Sequence, residues 1–412
     1  MSPLMASSRR PRSMGEGIFA SVLVLAAGSF TIIGASANAP LISQSLNLSE
    51  VGVGAIASVA YLGALVTAPM SGRLTDRSGP APVIVVGLLS LALGSVLAGL
   101  SWTAAVFYLG ILVAGFGYGA VNPATTVLAN PATARRRGLV MSIKQSGVPV
   151  GGIVAGAVLP TLGLALGWRW AFALTTAVCL AICLGIFVRG GYQAQTTKPQ
   201  GVAHHSHRRM RLPYGLVFGL IIAGIQVSLF AFTAIYLVQA RGFSASAAGL
   251  GVSTLLLGGL IGRPFWGWLS DLVTRHRLMV LEGIGLLGAA FIVALALVPD
   301  ELVLATLVLL GVCSVGWNGV YIAVVAESTE PGSVGRSTGT SLALINAGAI
   351  AFPVIIGTIV GWSDSWVVGL LVLGALSLAA TLVAVATSER VPDPAEVLPG
   401  TDRWDLTEGG RP

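Results

Sequence analysis

Apolar residues in this chain come in long unbroken runs of about twenty, separated by short polar stretches. A helix rising 1.5 Å per residue needs roughly 20 such residues to cross a hydrocarbon core about 30 Å thick. The pattern predicts twelve membrane-spanning helices, over 18–37, 51–71, 82–100, 104–128, 139–160, 169–188, 214–237, 246–265, 279–298, 302–325, 338–360 and 366–387. A β-barrel would show short alternating segments instead. The expected fold class is therefore an all-α membrane protein. Polar stretches divide it into an N-terminal tail 1–14, a six-helix unit 15–188, a linker 189–213, a second six-helix unit 214–388 and a tail 389–412.

Composition supports this reading. Only 9% of the 412 residues are charged and 55% are hydrophobic, against roughly 25% charged in a soluble domain. Mean hydropathy is +0.87, too high for an ordinary water-soluble protein. A net charge of +7 would suggest nucleic acid in a soluble chain, but here its placement matters more than its sum. With the N-terminus cytoplasmic, 21 of the 23 basic residues fall on inner segments, and only Arg169 and Arg241 face out. That alternation follows the positive-inside rule and puts both termini in the cytoplasm, as in a multi-pass inner-membrane protein. The Ala35-Ser36-Ala37 end of the first run resembles a signal-peptide cleavage site, yet losing that span would break the pairing of halves. Cys179, Cys183 and Cys313 sit in apolar runs with no disulfide or metal spacing.

The two halves repeat each other. Across 54–76 and 249–271, nine of 23 positions are identical without a gap at a spacing of 195, including Pro69/Pro264, Gly72/Gly267 and Asp76/Asp271. A weaker echo at 199 pairs Gly117/Gly316, Arg137/Arg336 and Ser142/Ser341. The linker, with His204, His205 and His207, reads as a flexible cytoplasmic loop, and the Pro-containing tail after Ser388 reads as disordered.

Between helices 2 and 3 runs Gly72-Arg73-Leu74-Thr75-Asp76-Arg77-Ser78-Gly79. It resembles the G-x-x-x-D-R-x-G signature of the major facilitator superfamily, with a degenerate copy, Gly267 to Asp271, between helices 8 and 9. The resemblance covers residues 15 to 388 and implies two pseudo-symmetric six-helix bundles that move a small solute by alternating access. It implies gating roles for Gly72, Asp76, Arg77, Gly79 and Asp271, with Asp76 in an ion pair or capping a helix N-terminus when the inner gate is shut. Pro80, Ala81 and Pro82 stand where the family usually has basic residues. In helix 5, Gly147 to Gly152 followed by Gly156 resembles the antiporter motif of drug exporters, although Ile111 occupies the position where those exporters carry an arginine. Close helix packing is a sufficient alternative reason for those glycines. The run Gly115 to Ala120 fits G-x-G-x-x-A but lies inside a span, so it is a helix-packing surface and no dinucleotide site.

Polar side chains inside hydrocarbon are the default candidates for a solute pathway. Tyr118 and Asn122 share a face of helix 4 and correspond at 199 to Trp317 and Tyr321 of helix 10, while Thr31 in helix 1 corresponds at 195 to Gln226 in helix 7. The family lines its cavity with these four helices. Asn318 and Asn346 are further candidates. Lys144 lies in an otherwise neutral run of helix 5, either snorkelling to the cytoplasmic surface or attracting anions at the inner end of the cavity. No Asp or Glu occupies the middle of a span. These features favour a small organic anion such as a monocarboxylate, with any coupled proton carried on the solute.

Drug or metabolite efflux is the alternative, and a non-transporting sensor a more distant one. No nucleophile, base or metal constellation suggests an enzyme, and no Walker loop an ATP-driven pump. The expected partners are the solute, membrane lipid and protons, with no cofactor, metal or nucleic acid, in a monomer.

Overall fold

The computed structural model describes residues 14–48, 50–129, 136–188, 208–210, 212–273, 277–329 and 333–390. The mid-chain histidines, the first arginines and the Pro-containing tail lie outside them. The helices are α1 (Met14–Ala37), α2 (Ala39–Leu46), α3 (Glu50–Ser78), α4 (Pro80–Gly99), α5 (Ala104–Ala129), α6 (Arg137–Gln145), α7 (Gly147–Leu166) and α8 (Trp168–Val188), then α9 (Leu212–Gln239), α10 (Ala245–Leu272), α11 (Arg277–Leu297), α12 (Asp300–Ser314), α13 (Asn318–Glu327), α14 (Val334–Ser363) and α15 (Trp366–Thr387). Eleven stretches among the described residues are long and apolar enough to cross a membrane, with α6–α7 and α12–α13 each forming one. The protein is a multi-pass helical membrane protein. Helix α10 is 28 residues long and carries Arg263, Pro264 and Asp271 in its second half.

Hydropathy did not reveal three features. Short α2 follows α1 directly and ends at Asn47 in a left-handed conformation, φ 53°, which Asn tolerates better than most residues. Predicted helices 5 and 10 are each broken, at Ser146 and at Val315–Trp317. Strands β1 (Arg208–Met210) and β2 (Ser388–Arg390) pair antiparallel, tying the end of the linker to the chain beyond α15. Residues 389 and 390, expected to begin a disordered tail, are thus held by a backbone ladder that the polar composition did not signal.

Buried apolar side chains form two main clusters. One runs from Ala20 to Ile186. The other lies mostly between Phe218 and Ala384, and also takes in Ala68, Ala129, Val140 and Met141 from earlier in the chain. Both outward arginines expected from charge placement are structural. Arg169 donates to the Ser101 carbonyl just beyond α4 at 2.9 Å and lies over the Trp102 and Trp168 rings. Arg241 donates to the Leu295 and Val298 carbonyls ending α11, at 2.8 and 2.9 Å, and to Tyr236 and Asp300. A cation at the carbonyl end of a helix satisfies orphan acceptors and the negative end of the helix dipole.

Candidate functional site

One end of the bundle is closed by two repeat-related carboxylates. Asp76, at the end of α3, accepts from the backbone N–H of Gly335 at 2.8 Å and of Arg336 at 2.7 Å, in the first turn of α14. Asp271, at the end of α10, accepts from Gly138 and Leu139 of α6, both at 2.8 Å. A helix N-terminus offers unpaired N–H groups and partial positive charge, so a carboxylate is its natural cap. Here each cap reaches from one half of the repeat into the other. The two are not equal. Asp271 also pairs at 2.6 Å with Arg277, which is 2% exposed and holds Glu327 at 2.7 Å. At the spacing of 195 the position of Arg277 is filled by Pro82, and Arg77 is exposed.

Glycines permit this closure. A Cβ on Gly72 would run into the Gly335 carbonyl, so α3 and α14 approach backbone to backbone. Gly79 has φ 83° and ψ 167°, a region almost restricted to glycine, and it lets the chain turn into Pro80 at the start of α4. Beyond the latches, α6 packs on α10 and α13 and α3 on α14, whereas α7 packs on α1 and α8 of its own half. The halves therefore converge at the Asp76 end.

Above the closed end lies Lys144, fully buried. Its Nζ donates to Asn122 Oδ1 at 2.7 Å, Thr126 Oγ1 at 2.8 Å and the Asn122 carbonyl at 3.3 Å. All three ammonium donors meet neutral oxygens of α5. Lys144 points into the protein and does not snorkel.

Arg263 on α10 is the residue that sequence reasoning missed. Charge placement counts it only among the inner basic residues, yet it is 3% exposed. Its Nε donates to the Val315 carbonyl at 3.3 Å, and its Nη1 donates to the Gln145 carbonyl. These acceptors lie at the two helix breaks. Pro149 has no N–H to give the carbonyl four residues before it, so Gln145 is left open. At the other break the Trp266 indole takes the Val312 carbonyl at 2.8 Å. The available signal was a cation within an apolar run.

The remaining candidates divide. Gln226 Oε1 accepts from Trp317 Nε1 at 2.9 Å and Asn318 Nδ2 at 3.2 Å. Trp317 meets Tyr321 edge-on at 5.2 Å, and both are fully buried. Helices 7 and 10 thus meet through these side chains. Tyr118 packs edge-on against Tyr61 of α3 at 6.4 Å. Thr31 donates to the Ala27 carbonyl at 2.9 Å and stands 3.9 Å from Cys179 Sγ. Asn346 is buried on α14.

A helical membrane protein whose repeated halves latch at one end around buried cations and aromatics has the architecture of a solute carrier. The sequence model of the Major Facilitator Superfamily matches residues 19–210 and 216–407, and the chain belongs to that family. It resembles a gentisate transporter of Corynebacterium glutamicum, 24% identical over 340 residues covering 78% of this chain and 76% of that protein. It also resembles a hexuronate transporter of Bacillus subtilis, 25% identical over 375 residues, 84% of this chain and 88% of that one. The crystal structure of a variant of the E. coli fucose:proton symporter, FucP, shares the fold with TM-score 0.70 at 17% identity, covering 90% and 99% of the two chains. The protein is a membrane transporter of small solutes and not an enzyme.

Proposed function

We propose that this transporter carries a small organic anion of the monocarboxylate kind across a bacterial inner membrane, by alternating access between halves 15–188 and 214–388. One observation carries the reading. Lys144 and Arg263, one from each half, are both buried, Arg263 bonds the carbonyl of Gln145 next to Lys144, and every oxygen the two bond among the described residues is neutral. Two buried cations without a carboxylate are costly in a medium of low dielectric constant, and an anion between them offsets that cost. A cationic solute would meet repulsion there. Gentisate and hexuronate, named in two relatives, are both carboxylates, which supports the same class.

In this reading α10 is the twelfth span, both termini lie at the Asp76 end, and positive-inside placement makes that end cytoplasmic. The latched form then opens outward. Tyr118, Asn122, Lys144, Gln226, Trp317, Asn318 and Tyr321 surround the solute, joined by Arg263. Thr31 bonds the Ala27 carbonyl of its own helix, and Asn346 is buried on α14. The glycine-rich stretch of helix 5 does not require efflux, because a Cβ on Gly147 or Gly151 would strike the α1 backbone at Val22 or Ala26.

Uptake of labelled gentisate, glucuronate, pyruvate, fucose and lysine by proteoliposomes, with and without an imposed proton gradient, tests the class. At least one carboxylate should enter about tenfold or more faster than fucose or lysine, since opposite charge at a buried site is worth more than about 1 kcal/mol. Uptake of fucose or lysine in preference to every anion refutes the reading.

A further inference from the structure

Arg263 does more than add charge to the centre. Its guanidinium joins the two halves, because Val315 belongs to its own half and Gln145 to the other. The Gln145 carbonyl has been released from helix bonding by Pro149, so it has no helical donor competing for it. The Gln145 side-chain oxygen is buried without a donor among the described residues. This tie lies on the same α6–α10 contact as the Asp271 latch.

We infer that Arg263 is an exchangeable tie that helps hold the inner end shut and gives up the Gln145 carbonyl for the incoming carboxylate; the second half of this inference rests on the anion reading above. A guanidinium binds a carboxylate through two parallel N–H bonds, which a single peptide carbonyl cannot match. The anion would be received by Arg263 from one half and by Lys144 from the other. Drawing the halves together around the solute while removing one bond between their inner ends couples loading to inner opening. A ligand drives such a change only through contacts that differ between the two states, and this exchange supplies one.

Spin labels at Leu74→Cys on α3 and Leu272→Cys on α10, 49% and 61% exposed, report the inner-end distance in the full chain freed of its native cysteines. Without solute, Arg263→Gln should raise the inner-open population about tenfold, because a charge-assisted hydrogen bond between the halves is lost. Pro149→Ala, which restores a competing N–H to Gln145 while keeping Arg263, should shift it in the same direction by less. It also serves if Arg263→Gln does not fold. Lys144→Ala should leave this solute-free distance short. Gentisate should move the wild-type distribution toward inner-open, with no added shift in Arg263→Gln.

Solute-free distances unchanged by both Arg263→Gln and Pro149→Ala overturn the tie. Uptake of gentisate with the wild-type inner distance unmoved overturns the exchange. If no carboxylate is taken up, the anion reading fails, and the solute-free distances still decide the tie.

Discussion

Lys144 and Arg263 are the same kind of residue by charge, but the sequence made only one of them conspicuous. Lys144 stands alone in a neutral stretch of helix 5, so its interior role was one of two readings available from the sequence. Arg263 follows a long apolar run near an expected helix end, where an arginine ordinarily anchors to the membrane surface. Its acceptors are 52 and 118 residues away, and no local pattern reveals them. Asn122 was singled out as a pathway residue, and it turns out to hold the lysine. Asn122→Ala should lower stability by about 1–3 kcal/mol through the incompletely bonded ammonium it leaves. In a Lys144→Met background the same change should cost much less, because the two residues are coupled. Thermal unfolding of the four proteins in detergent measures this coupling, and equal losses in both backgrounds would contradict the contact.

At the scale of elements, the long apolar helices were legible because hydrocarbon length and composition leave little choice. The breaks at Ser146 and Val315–Trp317 were not, since Gly, Ser and Val keep hydropathy high whether or not the helix is continuous. Only Pro149 marked the first break. The latches were partly legible. Asp76 and Asp271 were expected to gate, and Asp76 to enter an ion pair or cap a helix, but the identity of the capped helices depends on contacts between halves. Asp271 is also bound by Arg277, so Asp271→Asn removes a cap and breaks a buried ion pair, whereas Asp76→Asn removes only a cap. Removing one partner of a buried pair costs up to about 3–5 kcal/mol, reduced here because Arg277 keeps Glu327, against roughly 1 kcal/mol for a helix-terminal charge. The inner-open population should therefore rise in both variants and more in Asp271→Asn, read by maleimide labelling of an inner-end cysteine in inside-out vesicles. Equal labelling would contradict the asymmetry. Gly72→Val should prevent close approach of α3 to the Gly335 carbonyl. Transport should fall by about tenfold or more, since the steric conflict bears on one state of the cycle, with the folded yield retained.

For the molecule as a whole, the internal repeat announced two halves, and the structure adds their arrangement at one end. Contacts between the halves include α3 with α14 and α6 with α10 and α13, while α7 remains with α1 and α8. In the proposed alternating-access reading, this conformation is the closed-inside step, with the cations of the two halves where the solute would rest. The central claim is that this pair receives an anion. Its most direct test is the initial rate of gentisate counterflow into proteoliposomes carrying wild-type protein, Lys144→Ala or Lys144→Arg. Removal of the charge should reduce the rate by about tenfold or more, a loss of over about 1.4 kcal/mol in binding across the cycle, and Lys144→Arg should retain a substantial part of it. Robust wild-type counterflow that persists unchanged in Lys144→Ala would contradict the account.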